Sequence, residues 1–287
     1  MTCTRTIDGV TYIDAEKLWA GIAEAPNKHK SQQFMKDAGV AFFDKECNFV
    51  KKPVVGITGF GGFPVTFSKK AGEITVNGRA AAPLEHLAEL KKTRGFAGQV
   101  TNMNTGSHAP EAMDDLTSQL GHLSKLRTTV LDVLVTGYPA AIEANFARWY
   151  GGGGLTHIGL QTMCRTVSQS APPVYVGEPE FLEAAQKVRA ATMDALAAVG
   201  KTGRKGESLK DAQEDLNGLF PKNAATTIFF SGTLKAFESK MWELNPESGQ
   251  ETAFRHVLAL LNDSLVGLFP EFFRPNVAYD YFPPEHF

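Results

Sequence analysis

The alternation of strand-like and helix-like segments after residue 96 is the strongest constraint on the fold. TTVLDVLVTG (128–137) and TTIFFSG (226–232) are short, apolar and rich in β-branched residues, as buried strands are. Longer amphipathic patterns separate and follow them, and EPEFLEAAQKVRAATMDALAAVG (178–200) is the most pronounced. This order favours an α/β (α+β layered) fold in which a mixed sheet is flanked by helices.

The first 95 residues follow a different pattern, which predicts a small α+β extension. Asp14 is placed to cap a helix, and Lys70-Ala71-Gly72 is placed to turn a hairpin. PLEHLAELKKTRG (83–95) predicts a helix that begins at its proline and ends at Gly95. We therefore expect two units, an N-terminal extension over 1–95 and a larger domain over 96–287.

Three further local patterns complete the expected organisation. A helix is predicted from Pro110 to Leu126, and PPVYVG (172–177) is predicted to be a short strand. Asp114 and Asp115, adjacent within that helix, are interpreted as part of its solvated face.

Composition excludes several classes of protein. With 43% apolar and 21% charged residues the chain is typical of a folded globule, and its net charge of −2 does not favour duplex nucleic acid or an anionic membrane as a partner. No apolar run approaches the roughly 20 residues that cross a bilayer. The N-terminal segment lacks a signal-peptide pattern, and the three cysteines are scattered without metal or disulfide spacing. These features predict a cytoplasmic protein without a metal site.

An ordered set of short motifs in 217–260 carries a resemblance to a known family. Pro221 opens a Pro-Lys-Asn turn, an aromatic strand follows, Lys235 stands in the next turn, and Gln250 precedes the last helix. The same order, with the same spacing, is found in the flavin-dependent thymidylate synthases. GHLSK (121–125) and FARWY (146–150) resemble upstream motifs of that family.

The resemblance implies ligands and an assembly. It implies FAD as cofactor, a pyrimidine deoxynucleotide as substrate, a folate as a possible carbon donor, and a homo-oligomer, expected to be a tetramer. Matching motif to motif places four residues in the cofactor-binding set: His122, Arg148, Thr233 and Lys235.

The family's signature motif is largely replaced in this chain by GGGGLTHIGLQTMCRT (151–166). Its basic triplet is absent, and the Asn and Arg of the family's flavin-contacting turn become Thr233 and Lys235. The substrate-binding candidates by position are Gly151, Gly152, Gly153, Gly154, His157, Gln161, Arg165, Asn217 and Gln250. No catalytic residue is assigned.

The chemistry of these candidates suits a nucleotide, although each has an ordinary structural alternative. Backbone N–H groups of a glycine run can cradle a phosphate, or the run can be a plain connecting loop with His157 in it. Arg165 can bind phosphate bidentately or form a surface ion pair. The amides of Gln161 and Asn217 each offer a donor and an acceptor to a pyrimidine edge, so cytosine is conceivable as well as uracil.

Three functions therefore remain open. The first is a transferase acting at C5 of dUMP or dCMP with FAD, by methyl or hydroxymethyl transfer or by hydroxylation. The second is a nucleotide-binding or assembly protein that has lost flavin and catalysis. The third is an interaction protein whose residues 1–95 bind a partner, since fold alone does not fix function.

Overall fold

A computed structural model describes residues 2–26, 28–101, 108–121, 123–146, 155–161, 173–206, 208, 211–212 and 222–275. The α-helices in these ranges are α1 (Ala15–Glu24), α2 (Lys28–Asp37), α3 (Pro83–Thr101), α4 (Pro110–Gln119), α5 (Leu182–Gly200), α6 (Leu234–Lys240) and α7 (Thr252–Leu268). None of them is long and apolar enough to span a bilayer.

The strands divide between the two halves of the chain. They are β1 (Thr4–Ile7), β2 (Val10–Ile13), β3 (Phe42–Phe43), β4 (Val50–Lys52), β5 (Val54–Phe60), β6 (Phe63–Phe67), β7 (Ile74–Val76), β8 (Arg79–Ala81), β9 (Val130–Pro139), β10 (Leu155–Gln161) and β11 (Ala225–Thr233). Short 3₁₀ helices, among them Leu123–Thr128, Pro179–Phe181 and Met241–Leu244, lie between them.

Within the described ranges, nine strands form one sheet in the order β10-β11-β9-β5-β6-β7-β8, and β2 joins β1 to β5. β2 pairs with β5 in parallel, whereas β9 pairs antiparallel with both β5 and β11. Helices lie on both faces of this mixed sheet, with α7 on one face and α1 on the other. The predicted layered fold is therefore confirmed.

Strand β9 shows how the core is divided. Val133 and Val135 belong to the main cluster with α7, whereas Leu134 belongs to a second cluster with Leu18 of α1. Because successive side chains of a strand point to opposite faces, these two clusters lie on opposite faces of the sheet. The apolar run in the sequence thus marks a strand that is covered by helices on both faces.

The predicted features of the first 80 residues are found in the structure. Asp14 caps α1 by accepting a hydrogen bond from Lys17 N at 3.0 Å, and its other carboxylate oxygen accepts from Phe67 N at 3.0 Å. One side chain thus fixes the helix start against strand β6. The expected hairpin is β6 and β7, which pair across the turn that contains Gly72.

Helix α3 does not end at Gly95 as predicted but continues to Thr101. A Cβ at Gly95 would lie 1.7 Å from the carbonyl oxygen of Pro110, the first residue of α4. The glycine is therefore a point of close contact between two helices rather than a helix terminator. Both roles favour glycine, so the sequence alone does not distinguish a helix end from a close helix contact.

Two other predicted elements are wrong in extent. The helix from Pro110 ends at Gln119, because Gly121 adopts a left-handed φ of 72° and a 3₁₀ helix follows over Leu123–Thr128. The described part of PPVYVG, residues 173–177, is not a strand, and within it only Val174 forms β-bridges, one to Phe49 and one to Ala224.

The boundary predicted at residue 95 falls inside α3. Strand β5, from the proposed extension, pairs along its length with β9 from the proposed main domain. The sheet is thus continuous across the boundary, and the division into two units stays a prediction.

Asp114 is buried, so its interpretation as a solvated residue is wrong. Its carboxylate lies 3.0 Å from Arg94 Nη2 of α3 and 2.6 Å from Lys125 Nζ of the 3₁₀ helix. Arg94 also pairs with Glu271, which follows α7, at 3.0 Å. This charged cluster joins α3, α4 and the segment after α7. Asp115, its neighbour in sequence, is exposed and pairs with Lys91 at 2.7 Å.

We expect Asp114→Asn to lower the free energy of unfolding by about 3 kcal/mol, because buried Lys125 loses its carboxylate and buried Arg94 keeps only that of Glu271. The matched control is Asp115→Asn, which breaks only an exposed pair and should cost less than about 1 kcal/mol. Urea unfolding of both variants measures the difference. Equal losses would show that the buried cluster is not a special source of stability.

Candidate functional site

Strand β11 separates two places where candidate residues gather. Its nine residues, Ala225–Thr233, span about 27 Å at roughly 3.4 Å per residue. We call the region of Lys222, Asn223, Tyr175 and His256 the Asn223 end. We call the region of Thr233, Lys235 and the 3₁₀ helix Leu123–Thr128 the Thr233 end.

At the Thr233 end, Thr233 begins helix α6. Its hydroxyl oxygen accepts a hydrogen bond from Ala236 N at 3.2 Å, which is an N-cap. The hydroxyl proton is not used in that bond and can be donated to a ligand. Leu234 N donates to Thr129 O at 2.9 Å, so the turn is fixed to the chain that precedes β9.

Lys235 follows in the first turn of α6 and pairs with Glu238, one turn later. Both side chains are about one-third exposed, at 33% and 28%. Ion pairs with this much solvent contact contribute less than about 1 kcal/mol, so an anionic ligand could compete for the ammonium group at low cost.

The other cofactor candidates are close to this end along the chain. Leu155, which follows the glycine run of substrate candidates in the sequence, pairs with Gly232. His122 directly precedes the 3₁₀ helix Leu123–Thr128, which packs against α6. His122 and Arg148 themselves, with Gly151, Gly152, Gly153 and Gly154, lie outside the described residues.

The Asn223 end is held together by backbone hydrogen bonds. Lys222 O accepts from Ala141 N at 3.0 Å, and Asn223 O accepts from Tyr175 N at 2.8 Å. Two neighbouring segments thus hold this turn from both sides. Among the described residues, neither the ammonium of Lys222 nor the side-chain amide of Asn223 makes a hydrogen bond or an ion pair.

A cleft of about 420 Å³ opens beside this turn. Its size is within the range of small-molecule sites, which are mostly apolar with a few polar groups. Its walls come from four segments of the chain: Pro139 and Ala141, residues 175–177, the Lys222–Asn223 turn, and Phe181 with Ala184, Ala185 and Val188 of α5.

A tyrosine–histidine pair lies at the wall of the cleft. The Tyr175 hydroxyl is 3.3 Å from His256 Nδ1, and its ring stacks on Tyr138 with centroids 6.2 Å apart. Burial, with a smaller effect from the charge of Arg255, lowers the pKa of His256 to about 4. A neutral imidazole can accept from the phenol, which holds the tyrosine ring in place.

A carboxyl group is also found near this end. Thr226 Oγ1 donates to Glu143 Oε1 at 2.8 Å. Burial raises the pKa of Glu143, and the bond from Thr226 only partly offsets that effect. A carboxyl group with a raised pKa is suited to proton transfer, so Glu143 is a candidate acid or base.

The structure places three of the predicted substrate residues. His157 lies in strand β10 opposite Ser231, so its placement in a loop is wrong: residues 155–161 add a strand to the sheet beside β11. Gln161 ends β10 opposite Thr227, near the Asn223 end. Gln250 is half-buried just before α7, and its backbone N donates to Ser248 Oγ at 3.4 Å. Arg165 and Asn217 lie outside the described residues.

Sequence reasoning missed Tyr175, His256 and Glu143. Tyr175 stood in a segment predicted only as a short strand, and His256 lies in an otherwise apolar helix pattern. No spacing connects these residues, since they are brought together by three separate segments. Within the described ranges no group of three or more His, Cys, Asp or Glu side chains could hold a metal ion.

Comparisons with known proteins give similarities at the level of structure alone. No family model matches the chain, and no curated protein matches its sequence. A UMP/dUMP methylase from Streptomyces cacaoi, solved with 5-Br dUMP, is 12% identical, with a TM-score of 0.48, and the match covers 83% of this chain and 100% of that one.

Two structures of flavin-dependent thymidylate synthase from Helicobacter pylori, both with FAD and dUMP, are also similar. They are 12% and 15% identical, with TM-scores of 0.44 and 0.45, over 63% and 64% of this chain and 91% and 95% of theirs. They are of the family that the sequence motifs resemble. At these identities and scores, the similarities decide neither the substrate nor the reaction of this chain.

The depressed pKa of His256 predicts a stability that falls on acidification. The folded state keeps this imidazole neutral down to about pH 4, whereas the unfolded state takes up the proton near pH 6.5. The contribution is therefore complete above about pH 6.5 and is lost as the pH falls towards 4. We expect it to be on the order of 2 kcal/mol after solvent screening.

Urea unfolding between pH 4 and 7.5 measures this effect in the wild type and in His256→Gln, which cannot titrate. The free energy of unfolding should decline less steeply with falling pH in the variant. Parallel curves would mean that His256 does not contribute to the acid sensitivity.

Proposed function

We propose that this chain binds a pyrimidine deoxynucleotide and is a transferase acting at C5 of its base, in the manner of flavin-dependent thymidylate synthases. One observation carries the proposal. The described part of the motif order, from Lys222 through Lys235 to Gln250, folds as a turn, a strand and the first turn of a helix, and donor groups stand at both ends of that strand. Methyl transfer, hydroxymethyl transfer and hydroxylation are the reactions that this proposal covers.

The Asn223 end is the proposed nucleotide site. The Lys222 ammonium can bind the 5′-phosphate, and the Asn223 amide can pair with the base edge, because it offers both a donor and an acceptor. Gln161, which ends β10 beside β11, and Gln250, which precedes α7, stay candidates for this site by their positions in the motif order. Glu143, which accepts a hydrogen bond from Thr226 at this end of β11, is the proposed proton carrier.

The Thr233 end is the proposed FAD site, and its described residues fit a phosphate-bearing cofactor. Thr233 has a hydroxyl proton to donate, and Lys235 has an ammonium group in a weak, partly exposed pair. Bound FAD would supply the redox equivalents for chemistry at C5, with a folate as possible carbon donor. The protein's part is to hold the phosphates and orient the nucleotide.

We also propose that the chain assembles into a homo-oligomer, as the family resemblance implies. The two ends are separated by the length of β11, about 27 Å by the strand rise. A second copy can bring its Thr233 end to the Asn223 end of the first, so that each complete site is shared between subunits.

A second candidate is a nucleotide-binding protein without flavin. It is favoured by the local partners at the Thr233 end: Glu238 neutralises Lys235, and Thr233 serves as the helix cap. Both residues have a structural task that needs no cofactor. In this case the Asn223 end keeps its ligand, and the Thr233 end is part of the scaffold.

An absorbance spectrum of the purified protein, followed by FAD titration, separates the two candidates. The transferase proposal expects flavin bands, or saturable FAD binding near one per chain, together with binding of dUMP or dCMP. A colourless protein that ignores added FAD but binds the nucleotide would favour the second candidate. Binding of neither ligand would end both.

Lys235→Ala should weaken FAD binding about tenfold, because a hydrogen bond to a charged group contributes about 1.5 kcal/mol or more. Lys240→Ala is the matched control, since Lys240 lies in the same helix and pairs with Glu243 at the same spacing, at 3.0 Å. Fluorescence titration of FAD measures both variants. Equal FAD affinity in the two variants would show that FAD does not bind at the Thr233 end.

A further inference from the structure

The Phe181 ring is an exposed aromatic side chain in the wall of a cleft. It ends the 3₁₀ helix Pro179–Phe181 and is 60% exposed, although it lines the cleft beside Tyr175 and Val188. Covering a phenylalanine side chain fully is worth about 1.5–3 kcal/mol. A ligand that covered this ring would recover part of that free energy.

The lining of the cleft favours a ligand with a planar aromatic ring. Pro139, Val188 and the Tyr175 ring give it apolar walls, and its polar side chains are at the Lys222–Asn223 turn. An aromatic ring that can meet a ligand face to face binds any base by stacking, with about 1–3 kcal/mol per base. The Asn223 amide can then pair with the edge of the same base.

Charged side chains around the cleft determine the orientation in which a ligand binds. Glu178 and Glu180 shortly precede Phe181 in the chain and are exposed, whereas Lys222 lies on a different wall. A phosphate is repelled by the two carboxylates and attracted by the ammonium group. The phosphate therefore belongs at the Lys222 wall and the base at the Phe181 wall.

We infer that Phe181 is the base-stacking residue of the Asn223 end, and that the cleft takes a nucleoside monophosphate with its base on Phe181 and its phosphate on Lys222. The inference rests on the proposed function for the position of the nucleotide site. It adds a residue outside every motif that the sequence resemblance supplied.

Calorimetric titration with dUMP, dCMP and AMP tests the inference, with deoxyribose 5-phosphate as a probe that lacks a base. Phe181→Ala should weaken binding of the preferred nucleotide by about 5-fold to 150-fold and leave binding of the base-free probe unchanged, because about 1–3 kcal/mol of stacking is lost. Phe181→Tyr keeps the ring and should stay within about twofold of the wild type. Lys222→Ala should weaken binding of the nucleotide and binding of the base-free probe by similar factors.

Trp242→Ala is the matched control, since Trp242 is 61% exposed and is not among the residues that line the cleft. Unchanged nucleotide affinity in Phe181→Ala would overturn the inference, and so would an equal loss for the base-free probe. A wild type that binds AMP but neither pyrimidine, with the same dependence on Phe181, would refute the proposed function and support the inference. A wild type that binds none of the probes would overturn both.

Discussion

The pairing of strand β9 with β5 on one side and β11 on the other is the constraint on which the rest of the structure depends. Val133 and Val135 point towards α7, and Leu134 points towards α1. A slip of one residue in either ladder would exchange these faces and remove both clusters at once. The same register joins the first 81 residues to the later strands, and it sets the direction of β11. The positions of both candidate ligand ends follow from it.

Candidate ligand groups then collect where strands begin and end, because side chains within β9 and β11 are largely used in packing. At the Asn223 end, backbone hydrogen bonds from Ala141 and Tyr175 fix the turn, which leaves the Lys222 and Asn223 side chains available to a ligand. At the Thr233 end, the side chains themselves take part in the cap and ion pair of α6. At the Asn223 end a ligand meets a turn that backbone hydrogen bonds already hold in place. At the Thr233 end it must displace the Lys235–Glu238 ion pair.

Local patterns predicted those features that depend on near neighbours in sequence. Asp14 as a cap, the β6–β7 hairpin and the strands β9 and β11 were all recognisable, because each follows from turn chemistry or a short apolar period. Gly95 was misread because a helix end and a close helix contact both favour glycine. Asp114 and Asp115 are adjacent and chemically identical, yet one is buried between two cations and the other is solvated. Only the positions of Arg94 and Lys125 distinguish them.

For this protein the sequence by itself determined the layered fold, the order of the motifs and the residues of the Thr233 turn, since these are properties of segments of about ten residues. The tertiary structure decided which residues lie together in one site. Tyr175 meets His256 across 81 positions of the chain, and Phe181 joins Lys222 and Asn223 in one cleft. Such contacts depend on the docking of α5 and α7 against the strand ends. No local spacing encodes that docking, because it results from burying apolar surface that is distributed over the whole chain.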